Sequence, residues 1–170
     1  MAISHREADE IPAKCGTYAL LLSCQGPRKL RIGRLGAHPV AQGWYVYVGS
    51  AFGPGGLRAR CRRHLGPLRR LRWHIDYLRP ATSCQGIWLT TDWVPREHLW
   101  AETIGGMLGA RTPIPRFGSS DCICPSHLFH FSSSPSFSIF QRLILRRMPA
   151  HGPIMSLSLV APRQAQRNAL

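Results

Sequence analysis

Tyr47, Arg60 and His64 are the residues of this chain whose types and spacing best suit chemistry. The run Tyr47-Val48-Gly49-Ser50 reads as a strand end that presents a tyrosine. After a glycine loop over Phe52 to Gly56, Leu57 to Leu65 reads as a short basic helix stopped by Gly66-Pro67. Arg60 and His64 are four residues apart, so a helix sets them on one face. A proton acceptor close to phosphate-seeking cations is the combination that hydrolysis of a nucleic-acid backbone requires. His74 and Asp76 follow closely and extend the group of titratable side chains.

The cations form a block. Arg58, Arg60, Arg62, Arg63, Arg69, Arg70 and Arg72 occur with no acid among them, and Trp73 adjoins them. The formal charge of the whole chain is +14, carried almost wholly by arginine, since Lys14 and Lys29 are the only lysines. Arginine makes bidentate contacts to phosphate, so a polyanionic partner is expected over a merely solvated basic face. Arg58, Arg62, Arg63, Arg69, Arg70 and Arg72 are the expected nucleic-acid contacts, flanking Arg60.

The elements that must hold these residues are short. Thr17 to Ser23 is an apolar run suited to a buried strand, Lys29 to Arg34 alternates basic with apolar residues, and Trp44 to Val48 is aromatic and β-branched. Three short antiparallel strands are therefore expected to open the fold. Leu71 to Leu78 suits a second short helix or a strand, and Gly86 to Thr91 another strand. Pro95 to Ala110 suits a helix with Leu99, Thr103, Met107 and Leu108 inward, weakened by Gly105, Gly106 and Gly109. At 170 residues the chain fits one domain with extensions: a polar stretch over 1–14, a domain over 15–131, and a Ser/Pro/Arg-rich tail over 132–170. The tail has no acid and is expected to be disordered, although Ile139 to Met148 could form a basic amphipathic helix on a membrane or nucleic acid.

Two further groups could bind metal. Glu102 lies among Leu99, Trp100, Ala101, Thr103 and Ile104, so it either faces solvent or holds a cation, and a hard cation such as Mg²⁺ prefers carboxylate oxygen. Cys122, Cys124, His127 and His130 invite a zinc reading. Their Cys-x-Cys and His-x-x-His spacings are tighter than usual zinc spacings, so an ordered loop and a closing strand are expected instead. The scattered cysteines read as reduced thiols of a cytoplasmic protein. The amino-terminal residues lack a secretory pattern, and no window approaches the about 20 apolar residues of a membrane span.

In this order the motifs resemble the GIY-YIG nuclease superfamily, in its branch of small uncharacterised domains sometimes fused to endonuclease III. Gly16-Thr17-Tyr18 is similar to the first signature, Tyr47-Val48-Gly49 to the second, and Arg60 with His64 to the Arg-x-x-x-His helix. Trp73 to Leu78, Glu102, Gly118-Ser119-Ser120-Asp121-Cys122 and Ser126-His127-Leu128 are similar to marks of the branch. The resemblance implies a small α/β (α+β) fold, a three-stranded antiparallel sheet with an extra strand, flanked by helices. It also implies phosphodiester hydrolysis with one divalent metal, Mg²⁺ or Mn²⁺. Tyr18 and Tyr47 would then line the site, Tyr47 helping to deprotonate water. Arg60 would stabilise phosphate charge, His64 would orient groups or relay protons, Glu102 would hold the metal, and His74 is a further catalytic candidate. Tyr18 and Tyr47 are farther apart in sequence than the signatures of typical members, and Asp121 stands where the family has a late Asn. The expected function is a metal-dependent DNA endonuclease or nickase in repair or processing. The alternative is a non-catalytic DNA- or RNA-binding module on the same scaffold.

Overall fold

A computed structural model describes residues 10–159. It is a mixed α/β (α+β) fold. Seven strands and four α-helices occur among the described residues: β1 (Thr17–Cys24), β2 (Arg28–Ile32), β3 (Gly36–Val40), β4 (Gly43–Ser50), α1 (Gly56–Leu65), α2 (His74–Leu78), β5 (Ser83–Thr90), α3 (Glu97–Gly105), β6 (Leu128–Phe131), α4 (Phe137–Arg147) and β7 (Ile154–Ser158). Five strands form one antiparallel sheet in the order β6-β4-β1-β5-β7, and β2 with β3 forms a separate ribbon.

β1 occupies the centre because its eight residues are all buried and both of its faces are covered. Tyr18, Leu20 and Leu22 point to one side with Tyr45, Tyr47, Ile87 and Leu89, where α1 and α2 contribute Leu57, Cys61, Ile75 and Leu78. Ala19 and Leu21 point to the other with Val46, Val48 and Trp88, against Trp100 and Ile104 of α3 and Phe140 and Ile144 of α4. The sheet is thus a middle layer between two helical layers, and the cleft described below opens on the α1 side.

The ribbon explains the long separation of the two tyrosines. β2 was expected in the opening sheet, but both edges of β1 are occupied by β4 and β5. Arg28, Lys29 and Arg31 are exposed and could not sit inside a sheet covered on both faces. β2 therefore pairs only with β3, a two-stranded arrangement that also tolerates Pro39.

Two helices are shorter than their patterns suggest. α2 begins at His74 because the Asp76 carboxylate accepts hydrogen bonds from the backbone N–H groups of Arg72 (2.8 Å) and Trp73 (2.9 Å), which holds the preceding residues extended. α3 ends at Gly105; Met107 beyond it is buried, whereas Leu108 is fully exposed rather than inward.

The segments outside 15–131 are also part of the fold. Ile11 is completely buried, and the carbonyls of Pro12 and Lys14 accept hydrogen bonds from Arg58 N and Leu57 N at the start of α1, satisfying donors that a helix leaves unpaired. The tail expected to be disordered supplies α4 and β7, with 1–9 and 160–170 lying outside the described residues. Phe140 is fully buried, stacked on Trp88 at 4.8 Å and edge-on to Trp100 at 4.9 Å between ring centroids. The apolar face of α4 is thus spent on the sheet, which corrects the reading of this segment as a surface-seeking amphipathic helix. Phe140→Ala is expected to cost about 3–5 kcal/mol in urea unfolding; a loss below about 1 kcal/mol would show that α4 is not part of the cooperative core.

Candidate functional site

The site follows from strand register. Tyr18 pairs with Gly49 across β1 and β4, and Tyr47 pairs with Leu20. Cross-strand partners share a face, so Tyr18 and Tyr47 are diagonal neighbours roughly 7–8 Å apart along the same side of the sheet. A Cβ on Gly49 would come within 2.5 Å of the Tyr18 hydroxyl, so glycine at this position leaves the space that the hydroxyl occupies.

α1 lies over that face and lowers His64 between the tyrosines. The Tyr18 hydroxyl and His64 Nε2 are 2.7 Å apart, and the Tyr47 ring meets the imidazole edge-on at 6.2 Å. His64 is 4 % exposed, and burial, opposed in part by the Asp76 carboxylate and reinforced by Arg79, Arg60 and Arg63, lowers its pKa to about 3, so the ring is neutral at physiological pH. Its Nδ1 is buried with no hydrogen-bond partner. Buried orphan N–H donors are rarer than orphan acceptors, which favours the tautomer with the proton on Nε2, donated to the Tyr18 oxygen. In that tautomer the Tyr18 hydroxyl proton is left for another acceptor. Burial raises both Tyr18 and Tyr47 well above an ordinary phenol, with the Arg60 charge pulling each of them back down.

Trp73 organises the cations. The guanidinium carbons of Arg63, Arg60 and Arg72 lie 3.9, 4.4 and 5.2 Å from its ring centroid, within cation–π range. Arg63 is neutralised by the fully buried Asp76 carboxylate at 3.1 Å. Among the described residues the guanidinium groups of Arg60 and Arg72 have no ion-pair partner, and both line the cleft. Asp76 thus acts as a positioning residue, fixing Arg63 and the backbone of Arg72 and Trp73 together. Arg79 closes the arrangement from behind, donating to the Arg63 and Gly66 carbonyls at the end of α1.

The cleft holds about 400 Å³. Tyr18, Tyr47, Arg60, His64, Arg72 and His74 all line it. His74 Nδ1 accepts a hydrogen bond from Gly118 N at 2.9 Å, and burial lowers its pKa; both favour a neutral ring with its proton on Nε2. Gly118 has φ 73°, and a Cβ there would press on Tyr47 at 3.0 Å and His127 at 3.1 Å. That turn brings Ser120, Asp121 and His127 into the lining of the cleft.

Other expected residues lie elsewhere. Glu102 does not reach the cleft: its side chain is 69 % exposed and pairs with Arg147 of α4. Glu97, one and a half helical turns earlier at the start of α3, lines the cleft instead. Five residues of helix rotate a side chain by about 500°, so the two glutamates point in different directions. Glu97 was not singled out from the sequence; the available signal is an acid in the first turn of that helix, and choosing it over Glu102 requires the helix's rotation, which only the fold supplies. Arg58 turns to the amino-terminal segment, its Nε donating to the Ile11 carbonyl at 2.8 Å. Arg62, Arg69 and Arg70 are exposed; Arg63, Arg70 and Arg72 line a second hollow beside the cleft. The arginine block is therefore divided among a cleft wall, a flanking surface and a structural contact.

Of the four residues considered for zinc, His130 is separate: its Nε2 meets the Gln42 carbonyl at 3.0 Å. Cys122, Cys124 and His127 instead gather with His98 of α3. No helix among the described residues is long and apolar enough to cross a membrane.

The fold and cleft extend over nearly the span that comparison with known families recognises, residues 17–148. No curated protein and no solved structure matches the chain. That span includes both tyrosines, the α1 residues, Glu97 and the 118–127 turn, and it runs past Phe131 through α4, so the helix of the supposed tail lies inside the shared unit. The chain belongs to the family described as Domain of unknown function DUF123.

Proposed function

We propose that this protein hydrolyses phosphodiester bonds in DNA, as a GIY-YIG-type endonuclease or nickase acting in repair or processing. The observation that carries the reading is the convergence, in one cleft, of two diagonal tyrosines, a neutral buried histidine bonded to one of them, and Arg60 held over Trp73. These are the residues of the two tyrosine signatures and of the Arg-x-x-x-His helix, and their convergence is independent of the resemblance that first grouped them.

A divalent cation suits the carboxylates that line the cleft. Glu97 and Asp121 line the cleft, and their charges both act to raise Tyr47, so they lie within electrostatic reach of its hydroxyl. Mg²⁺ or Mn²⁺ is held by one or two carboxylates together with substrate phosphate and water, and here Glu97 would provide the anchor with Asp121 beside it. When bound, such an ion supplies Lewis-acid stabilisation of the phosphate and leaving group.

The protein's own groups divide the remaining work. Arg60 and Arg72 bind the scissile phosphate, and Arg60, locked against Trp73, stabilises the charge that builds on it. Tyr47, raised by burial and only partly drawn back by Arg60, accepts the proton of the attacking water as its phenolate, a form that Arg60 and a bound divalent cation would favour. Tyr18, oriented by His64, donates its free hydroxyl proton to a phosphate oxygen. Neutral His74, which lines the cleft, would donate a second bond from Nε2–H. The Arg69–Arg72 surface follows the backbone, and the absence of any recognisable base-reading element leaves RNA as a second polyanion.

A non-catalytic nucleic-acid-binding module is the rival reading, favoured by the burial that keeps both tyrosines protonated. Purified full-length protein, supercoiled plasmid and Mg²⁺ or Mn²⁺ separate the two. Nicking that falls on the order of 10²–10³-fold in Arg60→Ala supports the enzyme. Binding that weakens with salt, without nicking under any metal condition, supports the module.

A further inference from the structure

At the edge of the cleft, which His127 also lines, four soft or borderline ligands face one another. They are His98 from α3 and Cys122, Cys124 and His127 from the turn before β6, with one ligand atom from each lying within 4.8 Å of all the others. His98 Nδ1 and Cys124 Sγ are 3.1 Å apart, and Cys122 Sγ and His127 Nε2 are 3.5 Å apart. A tetrahedral zinc with bonds of about 2.3 Å to sulfur and about 2.05 Å to nitrogen requires N···S edges of about 3.6 Å and S···S edges of about 3.8 Å. Both observed N···S spacings, 3.1 and 3.5 Å, fall short of the first of these values, so a bound ion would spread the four ligands by a few tenths of an ångström. We propose that His98, Cys122, Cys124 and His127 form a closed Cys₂His₂ site for a thiophilic tetrahedral cation of the Zn²⁺ class.

The surrounding backbone is built to present these ligands. Arg116 is the one non-glycine residue with positive φ among the described residues, at 62°. Its guanidinium donates to the carbonyl of Cys122 at 2.7 Å and, more weakly, to that of Cys124 at 3.4 Å, while its own N–H donates to Pro125 O at 2.7 Å. A left-handed arginine costs conformational energy, and this clamp repays it by folding the Cys-x-Cys segment into a tight loop. His127 is fixed from both sides, its N–H donating to Phe117 O at 2.7 Å and its carbonyl accepting from Val48 N at 2.9 Å. Both thiols are free of disulfide bonds.

Four protein ligands leave no open position, so this is a structural site rather than a catalytic one. Its effect on the cleft follows from sequence adjacency. His98 is next to Glu97, and Cys122 is next to Asp121, so one cation would tie both cleft carboxylates to a common point. His98 Nε2 also lies 3.8 Å from a Glu97 oxygen, an arrangement suited to a carboxylate that orients a metal-bound imidazole from outside the coordination shell.

The test is independent of any nuclease activity. Full-length protein, reduced and stripped with a chelator, is titrated with Co²⁺ and then Zn²⁺. The expected result is about one Co²⁺ per chain with intense tetrahedral d–d bands and thiolate charge-transfer absorption, displaced by Zn²⁺. Cys124→Ser and the surface change His98→Ala should each weaken binding on the order of 100-fold or more, since loss of even an outer partner costs 10–100-fold. His130→Ala should leave the spectrum unchanged. A six-coordinate Co²⁺ spectrum without thiolate absorption, binding indifferent to both His98→Ala and Cys124→Ser, or a Cys122–Cys124 disulfide under reducing conditions would each overturn the site.

Discussion

Glu97→Gln is expected to reduce Mg²⁺-dependent plasmid nicking at least about 100-fold, while Glu102→Gln leaves it within about twofold of the parent. Both residues are acids on α3, and either change removes one charge without altering volume. They differ in where they point: Glu97 lines the cleft with Tyr47 and Asp121, whereas Glu102 is mostly exposed and engages Arg147. An exposed ion pair of this kind is worth little, so Glu102→Gln should also leave stability nearly unchanged. Raising Mg²⁺ should partly restore Glu97→Gln, because an amide oxygen remains a weak ligand for a hard cation. Equal loss in the two variants would place the metal elsewhere, and loss in Glu102→Gln alone would restore the assignment read from the sequence.

His64 should govern the stability of the protein in mild acid. Its folded pKa is about 3, lowered mainly by burial, against an ordinary value of about 6.5 in the unfolded chain. Between those values the unfolded chain takes up a proton that the native ring refuses, so stability present above about pH 6.5 is lost as pH falls toward 3. From pH 6.5 to 5, where most carboxylates are still ionised, the expected loss from this group is about 2 kcal/mol. His74 and His127, also lowered by burial, act in the same direction. Urea unfolding at a series of pH values should show the slope, and His64→Gln should flatten it relative to the parent. A His64 ring signal titrating near pH 6 in the folded protein would sink the argument. The same property separates catalysis from histidine ionisation: any acid limb of the nicking rate near pH 6.5 must come from another group.

The strands were legible where side-chain periodicity is strong. Thr17 to Ser23 is apolar at consecutive positions, as a strand covered on both faces must be, and it is the sheet's centre. Lys29 to Arg34 was equally recognisable as a strand, yet its membership of the sheet was not, since pairing is decided by which edges are still open. The tail was misjudged from composition. Its Ser, Pro and Arg residues suggested a chain unable to bury surface, but Phe140 and Ile144, four apart, are sufficient to seat a helix on Trp88 and Trp100. Composition averages over a segment, whereas packing depends on a few side chains on one face.

The sequence by itself determined the local chemistry: an arginine and a histidine one helical turn apart, a tyrosine on each of two strands, and a cationic block beside a tryptophan; the structure places Tyr47 within β4 rather than at its end. Those relations span a few residues and follow from helix and strand geometry alone. The tertiary structure decided which distant groups meet. Strand register made Tyr18 and Tyr47 diagonal neighbours, helix rotation chose Glu97 over Glu102, and the docking of α3 against the 118–127 turn exchanged His130 for His98 among the cysteines. Each of these depends on how elements far apart in the chain align, and a shift of one strand residue or one-quarter of a helical turn would have assembled a different site.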